Sequence, residues 1–117
     1  MQYTIQRKNE TIRFRWFVLL SFPFTNYNEN KKRPALVIFD SGDDDLLVAR
    51  ITTQISRDKF DYEISNWENS GLLRPSVIRL DKIATIEKSL ILKTLGNLND
   101  SEKSEAKKIF KIICESI

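Results

Sequence analysis

The alternation of apolar and polar positions predicts a small sheet built from short strands. Apolar residues recur at every second position from Ile12 to Phe22, which predicts a long first strand. Pro23 should end this strand, because proline has no N–H to donate to a neighbouring strand. Short apolar or alternating runs then predict further strands, at residues 34–39, 46–51, 60–64, 75–80 and 83–86. Residues 1–11 show no period and are expected to form a leader, whereas residues 89–95 fit either a short helix or a last strand.

The C-terminal residues 99–117 have the spacing of an amphipathic helix. Asn99 offers a capping side chain, and Glu102 follows three positions later. The apolar positions from Ala106 to Ile117 then lie on one face, where Cys114 is expected to be inert packing. The segment Ser65–Gly71 is predicted to be irregular or to form a single turn, closed by its glycine. The predicted fold is therefore mostly β with a C-terminal helix, a small bent sheet or barrel formed by one domain, residues 1–117.

Composition narrows the chemistry more than the fold. The 117 residues are 41% hydrophobic and 30% charged, with a net charge of +3, which permits a nucleic-acid partner. Histidine is absent, so a histidine acid–base pair, a Ser-His-Asp triad and nearly every common zinc site are excluded. The lone cysteine fits a reducing compartment. With no signal-peptide pattern and no apolar run long enough to span a bilayer, we expect a cytoplasmic protein.

Two short pieces carry the candidate chemistry. Residues 31–38 form a basic turn that leads into an apolar strand, and residues 51–54 form a hydroxyl-rich end to the next strand. The turn Asp40–Asp45 joins these strands, so we expect them to be antiparallel neighbours with Arg33 and Thr52 within reach of each other. A guanidinium and a hydroxyl supply donors that match phosphate oxygens. This pair would suffice for a phosphodiester site without metal or cofactor, and the Asp43–Asp45 run is interpreted as a solvated turn.

The ordered set of motifs resembles the MazF/PemK family of toxin endoribonucleases. The segments that carry the resemblance are Phe22-Pro23-Phe24-Thr25, Lys32-Arg33-Pro34-Ala35-Leu36-Val37-Ile38, Ile51-Thr52-Thr53-Gln54-Ile55, Ser70-Gly71-Leu72, residues 75–83 and Leu95-Gly96-Asn97-Leu98. The resemblance implies an SH3-like barrel that forms a homodimer, a cognate antitoxin, and metal-independent cleavage of single-stranded RNA. The apolar side chains of the first strand and the helix also exceed what we expect one small barrel to bury, which favours a dimer.

By position, the resemblance implies that Arg33 and Thr52 are the catalytic residues. In this mechanism a ribose 2′-OH attacks the adjacent phosphate, and Arg33 stabilises the developing charge, since a guanidinium is a poor base near neutral pH. The residues expected to bind RNA are Phe22, Thr25, Lys32, Thr53, Gln54, Arg57, Lys59 and Ser76. We expect no metal and no cofactor.

The chain also departs from the family pattern. Arg15-Trp16 stands where the family commonly has Gly-Asp, and Ser21 replaces a frequent acidic residue. The alternative hypothesis is therefore a non-catalytic RNA- or protein-binding module on the same barrel, since a fold alone does not determine activity.

Overall fold

The computed structural model describes residues 13–23, 30–54 and 58–117. In these ranges six strands and one α-helix follow each other. The strands are β1 (Trp16–Pro23), β2 (Asn30–Phe39), β3 (Asp45–Thr52), β4 (Asp61–Glu63), β5 (Val77–Glu87) and β6 (Ile91–Asn97), and the helix is α1 (Asp100–Glu115). Single 3-10 turns lie at Trp67–Ser70 and Lys88–Leu90. The predicted class, mostly β with a C-terminal helix, is confirmed.

All the strands form one antiparallel sheet in the order β4-β5-β3-β2-β1-β6. Strand β2 begins earlier than predicted, because Lys31, Lys32 and Arg33 pair with the end of β1. Pairing, rather than polarity, decides where this strand starts. Pro23 is the last residue of β1, as predicted, while the leader 1–11 lies outside the described residues.

The predicted fifth and sixth strands are in fact one strand. β5 runs through both segments and remains paired with β3 from Val77 to Glu87. Its register shifts once: Arg50 pairs with Arg79, but the adjacent Ala49 pairs with Ile83, so β5 has three extra residues between the two pairs. This bulge interrupts the alternation of apolar residues, which is why the sequence pattern predicted two strands. The ambiguous segment 89–95 is the end of a 3-10 turn followed by β6.

The two faces of the sheet carry separate apolar clusters. One contains Phe17, Leu36, Ile38, Ala49, Ile51, Ile64, Leu72, Ile78, Leu80, Leu98 and Ala106, and the helix packs against it. The other contains Val18, Leu20, Ala35, Val37, Leu46, Val48, Ile86 and Ile91. Phe17, Val18 and Leu20 of β1 are thus fully buried within one chain. The first strand was expected to carry more apolar surface than one chain can bury. That expectation is wrong for these residues, since the two clusters cover both faces of β1.

Two glycines allow the turn Trp67–Ser70 to pack directly on β6. A Cβ on Gly71 would lie 2.4 Å from the Leu95 carbonyl oxygen, and one on Gly96 would lie 2.5 Å from that of Ser70. Gly71 also has φ +79°, a left-handed conformation that favours glycine. Of the two structures expected for Ser65–Gly71, the single turn closed by glycine is the one observed, and its glycine has a packing role as well.

Helix α1 begins with the predicted cap. The Asn99 side chain accepts a hydrogen bond from Glu102 N at 2.8 Å. Glu102 itself turns inward, where Oε2 accepts hydrogen bonds from Ser65 N at 2.8 Å and Ser65 Oγ at 3.0 Å. Asn66 N and the Tyr62 hydroxyl donate to the same oxygen at 3.3 and 3.4 Å. This carboxylate fastens the helix to the segment after β4.

Two residues near the ends of the chain depart from expectation. Cys114 is exposed rather than packed, so the interpretation of it as core packing was wrong. Arg15 has φ +90°, the only non-glycine positive φ in the described ranges, at the position where the family commonly has glycine. Its carbonyl accepts from Leu98 N at 2.9 Å, and its guanidinium pairs with Asp100 at the start of the helix. These contacts hold a conformation that costs roughly 1 kcal/mol or more for a residue with a side chain.

Candidate nucleic-acid interface

A groove of about 540 Å³ opens on the face of the sheet opposite to the helix. Strands β1, β2, β3 and β5 contribute its lining, which consists of Leu20, Arg33, Pro34, Ala35, Val48, Arg50, Ile51, Asp81, Lys82, Ile83 and Ala84. The floor is mainly apolar, and three of the lining side chains are cationic. A concave apolar site with a few polar groups is the usual form of a ligand site.

Arg33 lies in the middle of the sheet at one end of this groove. It pairs with Leu20 of β1 and shares a face with Ala35 and Val37, since alternate residues of a strand point to the same side. Its side chain is exposed, and it has no hydrogen bond or ion pair with any residue of the described ranges. The guanidinium donors are therefore available to a ligand.

Thr52 lies on the neighbouring strand at the same level. Ala35 pairs with Arg50, and continuing this register by two residues places Arg33 opposite Thr52, just beyond the last pair of the ladder. Thr52 Oγ1 accepts a hydrogen bond from Gln54 N at 3.2 Å, which fixes the hydroxyl and leaves its hydrogen free to be donated. Thr52 is half-buried and lies outside the lining of the groove.

The bulge in β5 brings two charged residues into the groove that the sequence reasoning did not assign to the site. Asp81 and Lys82 lie between the paired residues Arg79 and Ile83, and both are exposed. A bulge redirects side chains out of the normal alternation. In the sequence this pair of charges only separated two apolar runs, which were therefore predicted as two strands.

Arg79 is a second residue that the sequence reasoning missed. Only 3% of its surface is exposed, although an arginine at a strand position is usually solvated. Its Nη2 donates to Gln54 Oε1 at 3.2 Å, and its cross-strand neighbours are Arg50 on one side and Asp61 on the other. Arg79 therefore lies on the same face as the groove, and Gln54 links it to the end of β3.

Three carboxylates gather beside Arg79. Asp58, Asp61 and Asp81 each place a carboxylate oxygen within 4.8 Å of the others. The Asp43–Asp45 run is exposed, as predicted. The acidic group near the groove joins residues from β4, β5 and the loop before β4, so no single stretch of sequence indicated it.

The remaining residues expected to bind RNA occupy different environments. Lys32 and Thr53 are exposed on β2 and after β3. The Lys59 ammonium lies 5.2 Å from the centre of the Phe60 ring. Ser76 is buried, and its hydroxyl donates to the Arg74 carbonyl oxygen at 2.8 Å.

Four further positions complete this set. Gln54 is exposed and is engaged by Arg79. Phe22 pairs with Lys31 at the end of β1. Thr25 and Arg57 lie outside the described residues. The structure thus brings Arg33, Thr52 and Gln54 to one end of β2 and β3, and it places none of Lys32, Thr53, Lys59 and Ser76 in the lining of the groove.

The sheet, the helix and the groove define a small single-sheet protein with a cationic groove on one face. The model of the PemK-like, MazF-like toxins of type II toxin–antitoxin systems matches residues 16–114. The chain belongs to this family. A search of curated protein sequences finds no significant match.

Several solved structures share this fold. The Mycobacterium tuberculosis toxin MazF-mt6 aligns with a TM-score of 0.69 at 21% identity, over 86% of this chain and 97% of that one. An endoribonuclease from a mycobacterial species, in complex with its cognate antitoxin, gives 0.68 at 15% identity, over 89% and 96%. MazF of the MazE-MazF complex from Deinococcus radiodurans gives 0.67 at 14%, over 86% and 92%. The predicted MazF/PemK type of fold is confirmed. None of the helices in the described ranges is long and apolar enough to cross a membrane.

Proposed function

We propose that this toxin is a cytoplasmic, metal-independent endoribonuclease that cleaves single-stranded RNA. The observation that carries the proposal is the position of Arg33 in the groove, at the level of Thr52 on the next strand, with a guanidinium that has no partner in the described ranges. Family membership supports it, and two of the similar structures are endoribonucleases.

The chemistry is attack of a ribose 2′-OH on the adjacent phosphate. The 2′ oxygen forms a bond to phosphorus, the bond to the 5′ oxygen breaks, and the products carry a 2′,3′-cyclic phosphate and a 5′-OH. Negative charge develops on the phosphate oxygens, where the donors of Arg33 and the hydroxyl of Thr52 would stabilise it. Fixed donors of this kind act without reorganising, and so they lower the barrier more than water does.

Asp81 is the base that fits this reaction. Among the residues that line the groove it is the only carboxylate, and a carboxylate accepts a proton more readily than a guanidinium. It would take the proton of the 2′-OH, while the leaving 5′ oxygen takes up a proton from water. Lys82 and Arg50 add positive charge that attracts the RNA backbone.

A cognate antitoxin and a homodimer belong to the same proposal. The similar structures include a toxin with its cognate antitoxin and a MazE-MazF complex. An acidic segment of such a partner would inhibit by occupying the cationic groove in place of phosphate.

The test is to incubate the purified protein with a mixed-sequence RNA and to map the cut sites and the chemistry of the new ends. We expect cuts that carry a 2′,3′-cyclic phosphate or its 3′-phosphate hydrolysis product. RNA that is bound but stays intact would instead support the alternative, a binding module on the same fold. If the protein neither binds nor cleaves the RNA, both the proposed function and this alternative are refuted.

A further inference from the structure

The face of the sheet that forms the groove carries a pair of like charges on neighbouring strands. Arg50 of β3 pairs directly across the sheet with Arg79 of β5, and like charges at opposed positions destabilise a sheet. Arg33 lies diagonally from Arg50, since Ala35 is the direct partner of Arg50. The three arginines therefore share one face of the sheet.

These arginines differ in how their charge is balanced. Arg79 is buried, donates to Gln54 and stands opposite Asp61. Arg50 is exposed in the groove and makes no hydrogen bond or ion pair with any residue of the described ranges. Lys82, which the β5 bulge places in the same groove, is also unpaired within those ranges. Among the lining residues, Asp81 is the one carboxylate against the three cations Arg33, Arg50 and Lys82, so the groove keeps a net positive charge.

We propose that Arg50, supported by Lys82, forms a second phosphate subsite that binds the phosphodiester next to the one cleaved at Arg33. Diagonal neighbours on antiparallel strands are roughly 7–8 Å apart, a separation suited to two successive phosphates of one extended strand. A bound phosphate would offset the repulsion between the arginines. Arg50 should therefore strengthen RNA binding but lower the stability of the free protein. The inference rests on the proposed function, and it assigns Arg50 to binding rather than to the chemical step.

We therefore predict that Arg50→Gln changes two properties in opposite directions: the stability of the free protein and its affinity for RNA. The variant keeps most of the aliphatic stem but removes the charge facing Arg79, so its melting temperature without ligand should be equal to or above that of the wild type. Its affinity for RNA should fall about tenfold at low salt, as for the loss of a charged hydrogen bond. The plot of log affinity against log salt has a negative slope, and its magnitude should become smaller by about 1.

The experiment uses the whole protein and a single-stranded oligonucleotide whose 2′-OH groups are replaced by hydrogen, so that it binds but is not cleaved. Affinity is measured over a range of salt, and melting temperature is measured with and without this probe. Lys93→Gln is the matched control, because Lys93 is an exposed strand cation outside the groove. It should leave both the slope and the stabilisation by the probe unchanged.

Cleavage of a ribose substrate separates this subsite from the catalytic pair. Arg50→Gln should raise KM about tenfold and change kcat by less than about threefold, since Arg50 holds the strand in the ground state and in the transition state alike. If the wild type binds the probe and Arg50→Gln matches it in affinity and salt slope, the subsite is refuted and the proposed function stands. If the wild type binds no RNA, both are refuted.

Discussion

Arg33 and Thr52 lie at the same level of two adjacent antiparallel strands, two residues beyond the pair formed by Ala35 and Arg50. Arg33 enters the groove from β2, whereas Thr52 stands at its end with Oγ1 fixed by Gln54 N. The two side chains are thus anchored on the sheet rather than on a flexible loop. Anchoring of this kind is what a site needs to hold donors around a phosphate.

The first prediction concerns this pair. Arg33→Ala should reduce the rate of RNA cleavage by at least about two orders of magnitude, because it removes the main donor to the developing charge. Thr52→Ala should cost less, and Thr53→Ala less again. Rates are measured on one labelled RNA with every variant shown to be folded.

Two further arginine variants sharpen that experiment. Arg33→Lys should also be strongly impaired, since an ammonium does not reproduce the fork of guanidinium donors. Arg13→Ala removes an exposed arginine outside the groove and should retain full activity. Equal cleavage by Arg33→Ala and the wild type would contradict the assignment.

Cleavage should continue in an excess of a chelator. The proposed mechanism uses only side-chain donors and one carboxylate, so it needs no divalent cation. The acidic group of Asp58, Asp61 and Asp81 makes this a real test, because clustered carboxylates are the ligands that magnesium uses. Loss of activity with chelator, restored by magnesium, would overturn the mechanism.

A second arm separates the carboxylates by role. Asp58→Asn removes one member of the acidic group outside the groove and should leave the cleavage rate within about threefold, since Asp58 has no part in the mechanism. Asp81→Asn should lower kcat by roughly two orders of magnitude or more, as for loss of a general base. A pH profile of kcat would distinguish this loss from a defect in binding.

The sequence carried enough information for the main architecture. Alternation identified β1, short apolar runs identified β2 and β3, and Asn99 with Glu102 marked the start of the helix. The early start of β2 could not be predicted from the sequence pattern, because Lys31–Arg33 are polar and join the sheet only through pairing with β1. Tertiary pairing overrides local preference at such positions.

The site was predictable only where it followed local order. The turn Asp40–Asp45 sets β2 beside β3, so the proximity of Arg33 and Thr52 could be expected from the sequence. Arg79 and Asp81 could not, because the β5 bulge reverses the alternation that assigns exposed and buried positions. Their environment depends on strands that are distant in the chain.

The carboxylate of Glu102 should contribute strongly to stability. It is 3% exposed and accepts hydrogen bonds from Ser65, Asn66 and Tyr62. Glu102→Ala leaves these partly buried hydrogen-bond donors without their acceptor and should lower the free energy of unfolding by roughly 2–4 kcal/mol. Urea denaturation measures the change.

The matched control is Glu105→Ala on the exposed side of the same helix. Glu105 pairs with Lys108 at 3.5 Å in solvent, so its loss should change stability by less than about 0.5 kcal/mol. Glu102→Gln keeps one oxygen acceptor and should fall between the two. Equal stability of Glu102→Ala and Glu105→Ala would show that the buried contacts are energetically unimportant.

The contribution of Tyr62 to stability should be lost in alkali. Burial raises the pKa of its hydroxyl above the ordinary value, and the nearby Glu102 carboxylate raises this pKa further. The folded state therefore favours neutral tyrosine, and this stabilisation is complete below about pH 10, where the unfolded tyrosine is also neutral. It declines above that pH, because the unfolded form ionises first.

Tyr62→Phe isolates this effect. The difference in unfolding free energy between wild type and variant should stay constant from pH 7 to about 9 and should then shift in favour of the variant as the pH rises. Taking the difference at each pH removes the contributions of the other titrating groups. A difference that stays constant up to pH 11 would contradict the prediction.

The last prediction concerns assembly. Phe39 is 60% exposed and borders a second groove of about 470 Å³, on the face that carries the helix. Phe14 and Phe110 line that groove beside Phe39, so the exposed ring continues an apolar surface rather than standing alone. Continuous apolar patches of this kind mark interfaces, and two-fold dimers are the commonest oligomers. We therefore expect a homodimer that buries Phe39 and leaves the Arg33 groove on the opposite face open to RNA.

Light scattering at micromolar concentration should report about twice the chain mass of 13.7 kDa. Phe39→Ser should shift the equilibrium towards monomer, because it removes the apolar contact at the interface. Leu73→Ser is the control: Leu73 is 93% exposed but borders neither groove, and an isolated surface leucine needs no partner. A wild type that remains monomeric would refute the dimer, whereas a dimer unaffected by Phe39→Ser would refute only this surface and direct the search to the other exposed apolar residues, Ile112 and Ile117 of the C-terminal segment.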